Sequence, residues 1–463
     1  MIPVQLSLLA DVLDGQLIGS DTTISAVSTD TRQIADDTLF IALVGERFDA
    51  HDFCQNAKEQ GASALLVSKH LPVDLPQLVV EDTHQALGQL GAWLKAEMEQ
   101  RHGLKTVALT GSCGKTTVKE MTAAILAHKG KVLATGGNFN NDIGVPLTLL
   151  RLEPEHEFAV IELGANHQKE ISYTTNLVKP QVALINNLAA AHLEGFGSLD
   201  GVAKAKGEIF EGLEERGKEA VAIINLDSND QKKWQSMLDK HQLQTFSATQ
   251  PEADFHALDI NINSMGRACF TMRTPLATFP VSLTLAGGHN VANALAAAAL
   301  AMALGATPEQ VQAGLGGVAN VKGRADVTEP RPNLRLVDDT YNASVASVKA
   351  AIDLLAGFDG QRWFVLGDMA ELGDDSAALH QEVAEYAHAR HLDKVLTFGK
   401  ASQIVSTLNN GQHFNDKTAL IETLHQQLDP LLNEDNIQVT VLAKGARSSR
   451  MEDVIVALQE HKE

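Results

Sequence analysis

Apolar runs alternate with polar turns and amphipathic stretches along most of the 463 residues. Short strand-like runs occur in residues 1 to about 83, for example TLFIAL (38–43) and ASALLVS (62–68). Strand-like and helical patterns then alternate through 84–320, and the rhythm returns in 321–463. Such alternation predicts parallel sheets covered by helices. We therefore expect an α/β protein of three domains, at 1–83, 84–320 and 321–463, which also suits the chain length.

The segment 105–121, KTVALTGSCGKTTVKEM, predicts a buried strand, a turn of small residues and a helix. Glycines in the turn let consecutive backbone N–H groups point at one anion, and the helix adds the positive end of its dipole. Lys115 supplies a charge for the β- and γ-phosphates, and the Thr116 hydroxyl is a ligand for Mg²⁺. The predicted ATP-binding residues of this loop are Gly111, Ser112, Cys113, Gly114, Lys115, Thr116 and Thr117.

This loop departs from the pattern G-x-x-x-x-G-K-[ST], because Leu109 stands where the first glycine belongs. The alternative interpretation is a glycine-rich turn that binds no ligand. Such a turn seldom needs Lys-Thr-Thr after its second glycine, so we predict that nucleotide phosphates bind here.

Charge and cysteine content narrow the class of protein. A formal net charge of −21 argues against a nucleic-acid-binding surface. The three cysteines, Cys54, Cys113 and Cys269, are scattered and suggest neither a disulfide framework nor a zinc site. The first residues lack the basic leader of a signal peptide, and the alanine-rich run 292–303 is too short to span a bilayer. We expect a cytoplasmic enzyme with no membrane insertion and no nucleic-acid partner.

Polar residues follow two further elements of the central region. The run FAVIE ends in Glu162 at the carboxyl end of a predicted strand, where a parallel sheet presents ligand-binding groups, so Glu162 is a candidate Mg²⁺ ligand. The loop TGGNFNND carries Asn138, Asn140 and Asn141, whose amides suit a sugar or a pyrophosphate. A purely structural loop is an equally open interpretation.

The third region begins with VKGRADV (321–327), in which Gly323 permits a bend. Arg324 could reach the γ-phosphate of ATP from there. Asp339 follows a predicted strand and is a candidate for the ribose hydroxyls, with Asn342 beside it. The alternative for Asp338 or Asp339 is a helix cap.

The variant TGSxGKTT, without the leading glycine, resembles the ATP loop of the Mur ligase family. These are ATP-dependent enzymes that join amino acids to a growing peptide. The resemblance covers nearly the full chain. It implies a small N-terminal α/β domain that binds the UDP-linked substrate, a central P-loop parallel-sheet domain resembling ATPases, and a C-terminal ligase domain resembling a dinucleotide fold.

Further site residues rest on this resemblance. Ser28, Asp30 and Arg32 match a Ser-x-Asp-[ST]-Arg element that holds the uridine end of the substrate, although a solvated turn is the alternative. Asn290 matches the nucleotide-proximal element H-N-x-x-N-A. His192, in N-x-x-x-x-H-L-E-x-F, is implied as a metal ligand, against the plain alternative of a solvated loop histidine.

Lys206, in A-K-x-E-I-F, matches a lysine that reacts with CO₂ to form a carbamate and then serves as a metal ligand. The alternative is an ordinary solvated helix lysine. The implied catalytic residues are Lys115, His192 and Lys206, and the implied metal ligands are Thr116, Glu162, His192 and the Lys206 carbamate.

Two third-region motifs, LGDMAELG (366–373) and KGARSSRME (444–452), resemble the family member that acts last in the bacterial cytoplasm. The family's Gly-Ser-Arg stands here as Gly445-Ala446-Arg447. The implied reaction is ATP- and Mg²⁺-dependent ligation of D-alanyl-D-alanine to UDP-N-acetylmuramoyl-tripeptide through an acyl phosphate, by a protein expected to be a monomer.

Three alternatives remain open at this point. They are a related ligase that adds the third amino acid, a folylpolyglutamate synthase, and a nucleotide-gated binding protein that no longer ligates. The family's diaminopimelate-adding ligase carries an Asp-Asn-Pro-Arg element in its third domain, and this sequence has none. The resemblance therefore argues against diaminopimelate as the incoming amine.

Overall fold

The computed structural model describes residues 1–45, 48–189, 193–228, 231–433 and 437–460, and the strands in these ranges form four sheets. None of the helices in these ranges is long and apolar enough to cross a bilayer.

The N-terminal unit contains a five-stranded sheet and a two-stranded ribbon. Its strands are β1 Val4–Gln5, β2 Gln16–Ile18, β3 Thr23–Ile24, β4 Ala26–Ser28, β5 Thr38–Ile41, β6 Ala64–Val67 and β7 Gln77–Val79. Its helices are α1 Leu6–Val12 and α2 Cys54–Glu59. The sheet order is β2-β7-β6-β5-β4, with β2 antiparallel to its neighbour. Every residue of β5 and β6 is buried, as expected for parallel strands covered on both faces.

The central sheet has nine strands. They are β8 Lys105–Thr110, β9 Val132–Ala134, β10 Phe158–Glu162, β11 Val182–Ile185, β12 Val221–Asn225, β13 Gln242–Ser247, β14 Phe255–Ile262, β15 Arg267–Arg273 and β16 Thr278–Ala286. The order is β16-β15-β14-β13-β12-β11-β8-β10-β9. Pairing is parallel from β9 to β14 and antiparallel between β14, β15 and β16. The strand that leads into the phosphate loop, β8, therefore lies between β10 and β11, and the three carboxyl ends meet.

Helices cover this central sheet. They are α3 Thr83–His102, α4 Lys115–Ala127, α5 Gly144–Leu149, α6 Glu170–Val178, α7 Leu193–Phe196, α8 Leu199–Gly207, α9 Gln235–Leu238, α10 Asn290–Ala303 and α11 Pro308–Gly316. After α8 ends at Gly207, a 3₁₀ segment, Glu208–Glu219, continues the chain.

The third sheet has six strands. They are β17 Asp326–Arg331, β18 Leu334–Asp339, β19 Gln361–Gly367, β20 Lys394–Phe398, β21 Gln412–Phe414 and β22 Val439–Lys444. The order is β17-β18-β22-β19-β20-β21, with only β17 antiparallel among these strands. Its helices are α12 Val345–Ala356, α13 Ser376–Ala389, α14 Gln403–Leu408, α15 Lys417–Leu432 and α16 Glu452–Glu460.

These sheets confirm the predicted α/β class and the mostly parallel character of the central region. The exact domain boundaries stay a prediction. The N-terminal sheet ends at Val79, the central sheet spans residues 105–286 and the third sheet begins at Asp326.

The helix that follows the phosphate loop, α4, is fixed by close packing against α10 and α11. Small residues make the approach possible, because α10 buries six alanines between Ala294 and Ala301. On α11, a Cβ added at Gly314 would lie 2.5 Å from Ile125 Cα of α4. Two residues later, a Cβ at Gly316 would meet nothing closer than 3.9 Å.

We therefore expect Gly314→Ala to destabilise the protein by about 1–3 kcal/mol through overpacking. The matched control, Gly316→Ala, should be neutral or stabilising by up to ~1 kcal/mol, because alanine favours the helix. The midpoints of urea unfolding for the two variants measure the difference. Equal midpoints would show that α4 and α11 separate easily.

Candidate active site

The phosphate loop connects β8 to α4 in a shape that requires glycine. Gly114 has φ +76°, and a Cβ there would lie 2.5 Å from Asn293 Oδ1 and 2.7 Å from Asn186 Nδ2. Any side chain at this position would be both strained and obstructed. The Lys115 ammonium folds back and donates to the Gly111 carbonyl at 2.9 Å. This hydrogen bond joins the two ends of the loop, Gly111 and Lys115.

Two asparagines that follow β11 form hydrogen bonds to the backbone of the phosphate loop. Asn187 accepts from the Cys113 N–H at 2.8 Å and donates to the Cys113 carbonyl at 3.0 Å. Asn186 Nδ2 donates to the same carbonyl and to Asn293 Oδ1, each at 3.0 Å. Asn293 in turn donates to Asn290 Oδ1 at 2.8 Å. A chain of amides therefore joins the loop to the start of α10.

Glu162 and Thr116 meet at the carboxyl ends of β10 and β8. Thr116 Oγ1 donates to Glu162 Oε2 at 3.0 Å, and Asn140 Nδ2 donates to Glu162 Oε1 at 2.7 Å. The Glu162 residue is 2% exposed, and its backbone N–H donates to Thr135 Oγ1. The predicted juxtaposition of a hydroxyl and a carboxylate is present, with Asn140 as a third member.

The third unit reaches over the phosphate loop. Arg324 Nη2 donates to Thr116 Oγ1 at 3.1 Å, and the Arg324 guanidinium lies 4.2 Å from the centre of the Tyr341 ring. Cys113 Sγ lies 3.2 Å from Ser344 Oγ. The turn before Arg324 uses Gly323 at φ +75°, the bend that the sequence suggested. The cleft is therefore closed by residues of two sheets.

Asp339 is engaged by neighbours rather than capping a helix. Its carboxylate accepts from Lys444 Nζ at 2.6 Å and from the Ala325 N–H at 3.2 Å. Lys444 also donates to the Asn342 carbonyl at 2.9 Å. The residue that caps α12 is Ser344, so the helix-cap alternative for Asp338 and Asp339 is wrong.

Lys206 is buried, which excludes the solvated-lysine alternative. It is 1% exposed, and no hydrogen bond or ion pair reaches its ammonium from the described part of the chain. Burial, with a smaller contribution from the charge of Lys115, lowers the pKa of Lys206 to about 7. Much of this lysine is consequently neutral near physiological pH. His192 lies outside the described residues.

A cleft of about 520 Å³ opens between the central and third sheets. It brings together most of the predicted nucleotide residues. Those lining it are Ser112, Cys113, Gly114, Lys115, Thr116, Thr117, Asn138, Asn140, Glu162, Asn290, Arg324, Asp339 and Asn342. Gly111, Asn141 and Lys206 are not among its lining residues; Asn141 accepts from the Gly144 N–H at the start of α5.

The predicted uridine-binding element lies outside this cleft. Ser28 Oγ accepts from the Asp30 N–H at 3.1 Å and donates to the Asp30 carbonyl at 2.9 Å. Arg32 is paired with Asp30 at 2.7 Å, and its hydrogen bonds lower the Asp30 pKa to about 2. The element is a self-paired turn, and the Arg32 side chain is 87% exposed.

Several cleft residues escaped the sequence analysis. Asn187 lies just after β11, beside the strand that leads into the phosphate loop, and its position behind an apolar run was a usable signal. Tyr341, Lys444 and Glu371 also line the cleft. The partner of Lys444, Asp339, lies 105 positions away along the chain, so no local pattern identifies this lysine. Within the described ranges, no cluster of three or more His, Cys, Asp or Glu side chains has the geometry of a metal site. The hydroxyl–carboxylate pair of Thr116 and Glu162 is the best-formed candidate.

Comparison with known proteins gives consistent matches. The family model described as "Mur ligase middle domain" matches residues 109–301. Those described as "Mur ligase, glutamate ligase domain" and "Mur ligase family, catalytic domain" match 323–447 and 23–92. The chain is 54% identical to the UDP-N-acetylmuramoyl-tripeptide–D-alanyl-D-alanine ligase of Escherichia coli, over 100% of this chain and 99% of the relative. The Haemophilus influenzae ligase of the same name is 49% identical, over 99% of each chain.

Solved structures agree with these matches. A crystal structure of MurF from Acinetobacter baumannii has a TM-score of 0.93 at 35% identity, over 100% of both chains. The Thermotoga maritima MurF ligase, solved in complex with ADP, has a TM-score of 0.82 at 27% identity, over 94% of this chain and 97% of that one.

The support under the phosphate loop is testable through Asn187. We expect Asn187→Ala to leave the Cys113 N–H unpaired and to remove one of the two hydrogen bonds to the Cys113 carbonyl. ATP binding should weaken about tenfold, since each hydrogen bond contributes about 0.5–1.5 kcal/mol. Calorimetric titration with ATP measures the affinity. Asn176→Ala, on the exposed side of α6, is the control and should bind ATP normally. Unchanged affinity in Asn187→Ala would mean that the loop holds its shape alone.

Proposed function

The chain belongs to the Mur ligase family, and from this premise we propose that it ligates D-alanyl-D-alanine to UDP-N-acetylmuramoyl-tripeptide with ATP. The observation that carries the proposal is 54% identity, over the whole chain, to an enzyme named for this reaction. The product is the pentapeptide precursor of peptidoglycan. A cytoplasmic location and a monomeric state remain predictions.

The reaction proceeds through an acyl phosphate in this proposal. The tripeptide carboxylate attacks the γ-phosphorus of ATP, and ADP leaves. The amine of the dipeptide then attacks the acyl carbon, loses a proton and displaces phosphate as the amide bond forms. Lys115 and the N–H groups at the start of α4 stabilise negative charge on the transferring phosphoryl group. To do so, Lys115 exchanges its bond to the Gly111 carbonyl for phosphate oxygens.

The donor set fits Mg²⁺, which prefers oxygen ligands. Thr116 Oγ1 and the Glu162 carboxylate already lie 3.0 Å apart at the loop. Bound there, Mg²⁺ would neutralise charge on the phosphates. Arg324 now donates to Thr116, so it must turn away when the metal binds. The Tyr341 ring contacts the Arg324 guanidinium. After Arg324 leaves Thr116, its proposed new partner is the γ-phosphate.

Lys206 fits the proposed carbamate because a neutral amine is the form that reacts with CO₂. Burial favours the neutral amine near pH 7. The negative charge of the carbamate would then balance part of the positive charge of the metal. The carbamate and His192 are proposed as the remaining metal ligands. Both lie on the segment that follows β11 and runs into α8.

The rest of the nucleotide and the peptide substrate are assigned by position. Asn290, Asp339 and Asn342 are proposed for the adenosine part of ATP, since all three line the cleft. Asn138 and Asn140 would then face the peptide substrate, with Asn141 behind them. The UDP end is proposed to bind at Ser28, Asp30 and Arg32.

A substrate panel tests the function. We expect ATP-dependent product, identified by mass, from UDP-N-acetylmuramoyl-tripeptide with D-alanyl-D-alanine, and little with diaminopimelate, lysine or glutamate. Phosphate release should require both the peptide acceptor and the amine. Better turnover with a single amino acid would support a related ligase, and phosphate release independent of either substrate would contradict ligation.

Lys115→Ala tests the phosphate loop. Removing this charge should lower turnover by about 100-fold or more, because it leaves the transferring phosphoryl group without its ammonium. The fold should persist, since the side-chain hydrogen bond that Lys115 makes within the described residues goes to a backbone carbonyl of its own loop. Steady-state phosphate release and circular dichroism measure the two effects. Near-normal turnover would place ATP elsewhere.

Lys206→Ala tests the carbamate. Activity should fall about 100-fold and return partly with added acetate or formate, which replace the missing carboxylate. Lys204→Ala, on the exposed side of the same helix, is the control. In the unaltered protein, activity should decline below pH 7, where Lys206 becomes protonated, and bicarbonate should offset the decline. Full activity of Lys206→Ala in CO₂-depleted buffer would refute a carbamate role.

A further inference from the structure

The asparagine loop, residues 135–142, is attached to the central unit by two of its asparagines. Asn140 Nδ2 donates to Glu162 Oε1 at 2.7 Å, and Asn141 Oδ1 accepts from the Gly144 N–H at 2.8 Å. Both bonds stay within the central unit. They therefore stabilise the shape of the loop but do not determine its place relative to the N-terminal unit.

Asp142, at the end of the asparagine loop, contacts a helix that is bonded to the N-terminal unit. Asp142 Oδ2 lies 2.8 Å from His84 Nε2 in the first turn of α3. In the preceding residue, Thr83 Oγ1 donates to the Ala42 carbonyl at 2.8 Å, just after β5 of the N-terminal sheet. Two adjacent residues of α3 thus join the N-terminal sheet to the asparagine loop.

The His84 ring lies between a carboxylate and an aromatic ring. Tyr173 of α6 stacks against it, with ring centroids 6.1 Å apart and ring planes at 20°. One turn further along α3, a Cβ added at Gly88 would collide with the Tyr173 hydroxyl. Asp82 caps the helix by accepting from the His84 N–H at 2.8 Å. These contacts fix the imidazole toward Asp142.

The same connection leads to the predicted uridine-binding turn. That turn begins at Ser28, the last residue of β4, and β4 pairs in parallel with β5 so that Ser28 lies opposite Phe40. Ala42, which accepts from Thr83, follows Phe40 by two residues. The turn and the asparagine loop are consequently joined through β5, the start of α3 and one ion pair.

We propose that His84 and Asp142 are a positioning pair that sets the separation between the UDP end and the peptide end of one bound substrate. The inference rests on the proposed function, in which the UDP end binds at the turn beginning at Ser28 and the peptide faces Asn138 and Asn140. A ligand that spans two sites binds best when their separation matches its own length. A pair that sets this separation before binding reduces the ordering cost.

The charge of the pair depends on pH in a defined direction. The hydrogen bond between the two side chains raises the pKa of His84 and lowers the pKa of Asp142. Among the described residues that face the ring, Asp82 also favours protonation of His84, and Tyr173 has a pKa raised by burial. The contribution of the pair is full below about pH 6.5 and is lost as the pH rises through the raised pKa of His84.

Calorimetric titration of the full-length protein tests the pair. His84→Ala should weaken binding of UDP-N-acetylmuramoyl-tripeptide about fivefold, the upper range for a half-exposed ion pair, and leave binding of UDP alone unchanged. His84→Gln should restore part of the affinity, because its amide can donate to Asp142. His102→Ala, at the exposed last residue of α3, is the matched control and should bind both ligands normally.

Initial rates distinguish positioning from a general loss of structure. In His84→Ala, the KM for the UDP-linked peptide should rise about fivefold, with kcat and the KM for ATP unchanged. Asp142→Asn, which keeps the size of the side chain, should show the same selective rise, and the double variant should be little worse than either single one. In the unaltered protein this KM should rise between about pH 6.5 and 8.5, and it should be flat in His84→Gln.

Two results would overturn the proposal. One is an unchanged affinity of both His84→Ala and Asp142→Asn for the UDP-linked peptide. The other is an equal loss of affinity for UDP alone, since that would show that the variants disturb the UDP site itself. Failure of the unaltered protein to ligate would instead reject the proposed function.

Discussion

The phosphate loop keeps its shape because amide side chains support it before any ligand arrives. Asn186 and Asn187 bind both backbone groups of Cys113, and Asn293 continues the support into α10. A loop whose N–H groups are already directed loses little conformational entropy on binding an anion. The strand order makes this possible, since β11 lies beside β8. The other walls of the cleft are arranged around this supported phosphate loop.

Two buried lysines show how environment assigns different roles to one residue type. Lys444 is 2% exposed, and its charge is balanced by Asp339 and two carbonyls, so it serves as a fixed brace between loops. Lys206 is equally buried but has no such carboxylate within hydrogen-bonding distance in the described ranges, and its pKa falls to about 7. Lys444 has a carboxylate partner for its ammonium group, whereas burial without such a partner favours the neutral form of Lys206.

Local sequence patterns predicted those elements that are determined by residues close together in the sequence. The strand, turn and helix around Gly114 and the placement of Glu162 at the end of β10 follow from hydrophobic periodicity and glycine chemistry. The bonds between Arg324 and Thr116, and between Lys444 and Asp339, join residues 208 and 105 positions apart. They depend on strand order and on the placement of one sheet above another, which periodicity does not encode. The turn at Ser28–Arg32 was predicted as an element, but nothing local identifies its ligand.

The contact between Arg324 and Thr116 also has a pharmacological consequence. The Arg324 guanidinium lies 3.1 Å from the Thr116 hydroxyl, which is a proposed metal ligand. A compound that filled the space beside Tyr341 and kept Arg324 in place would stabilise this arrangement by mass action. It would exclude the metal–nucleotide complex without carrying phosphate groups of its own. Its potency would decline as the ATP concentration rises, although the compound would resemble no part of ATP.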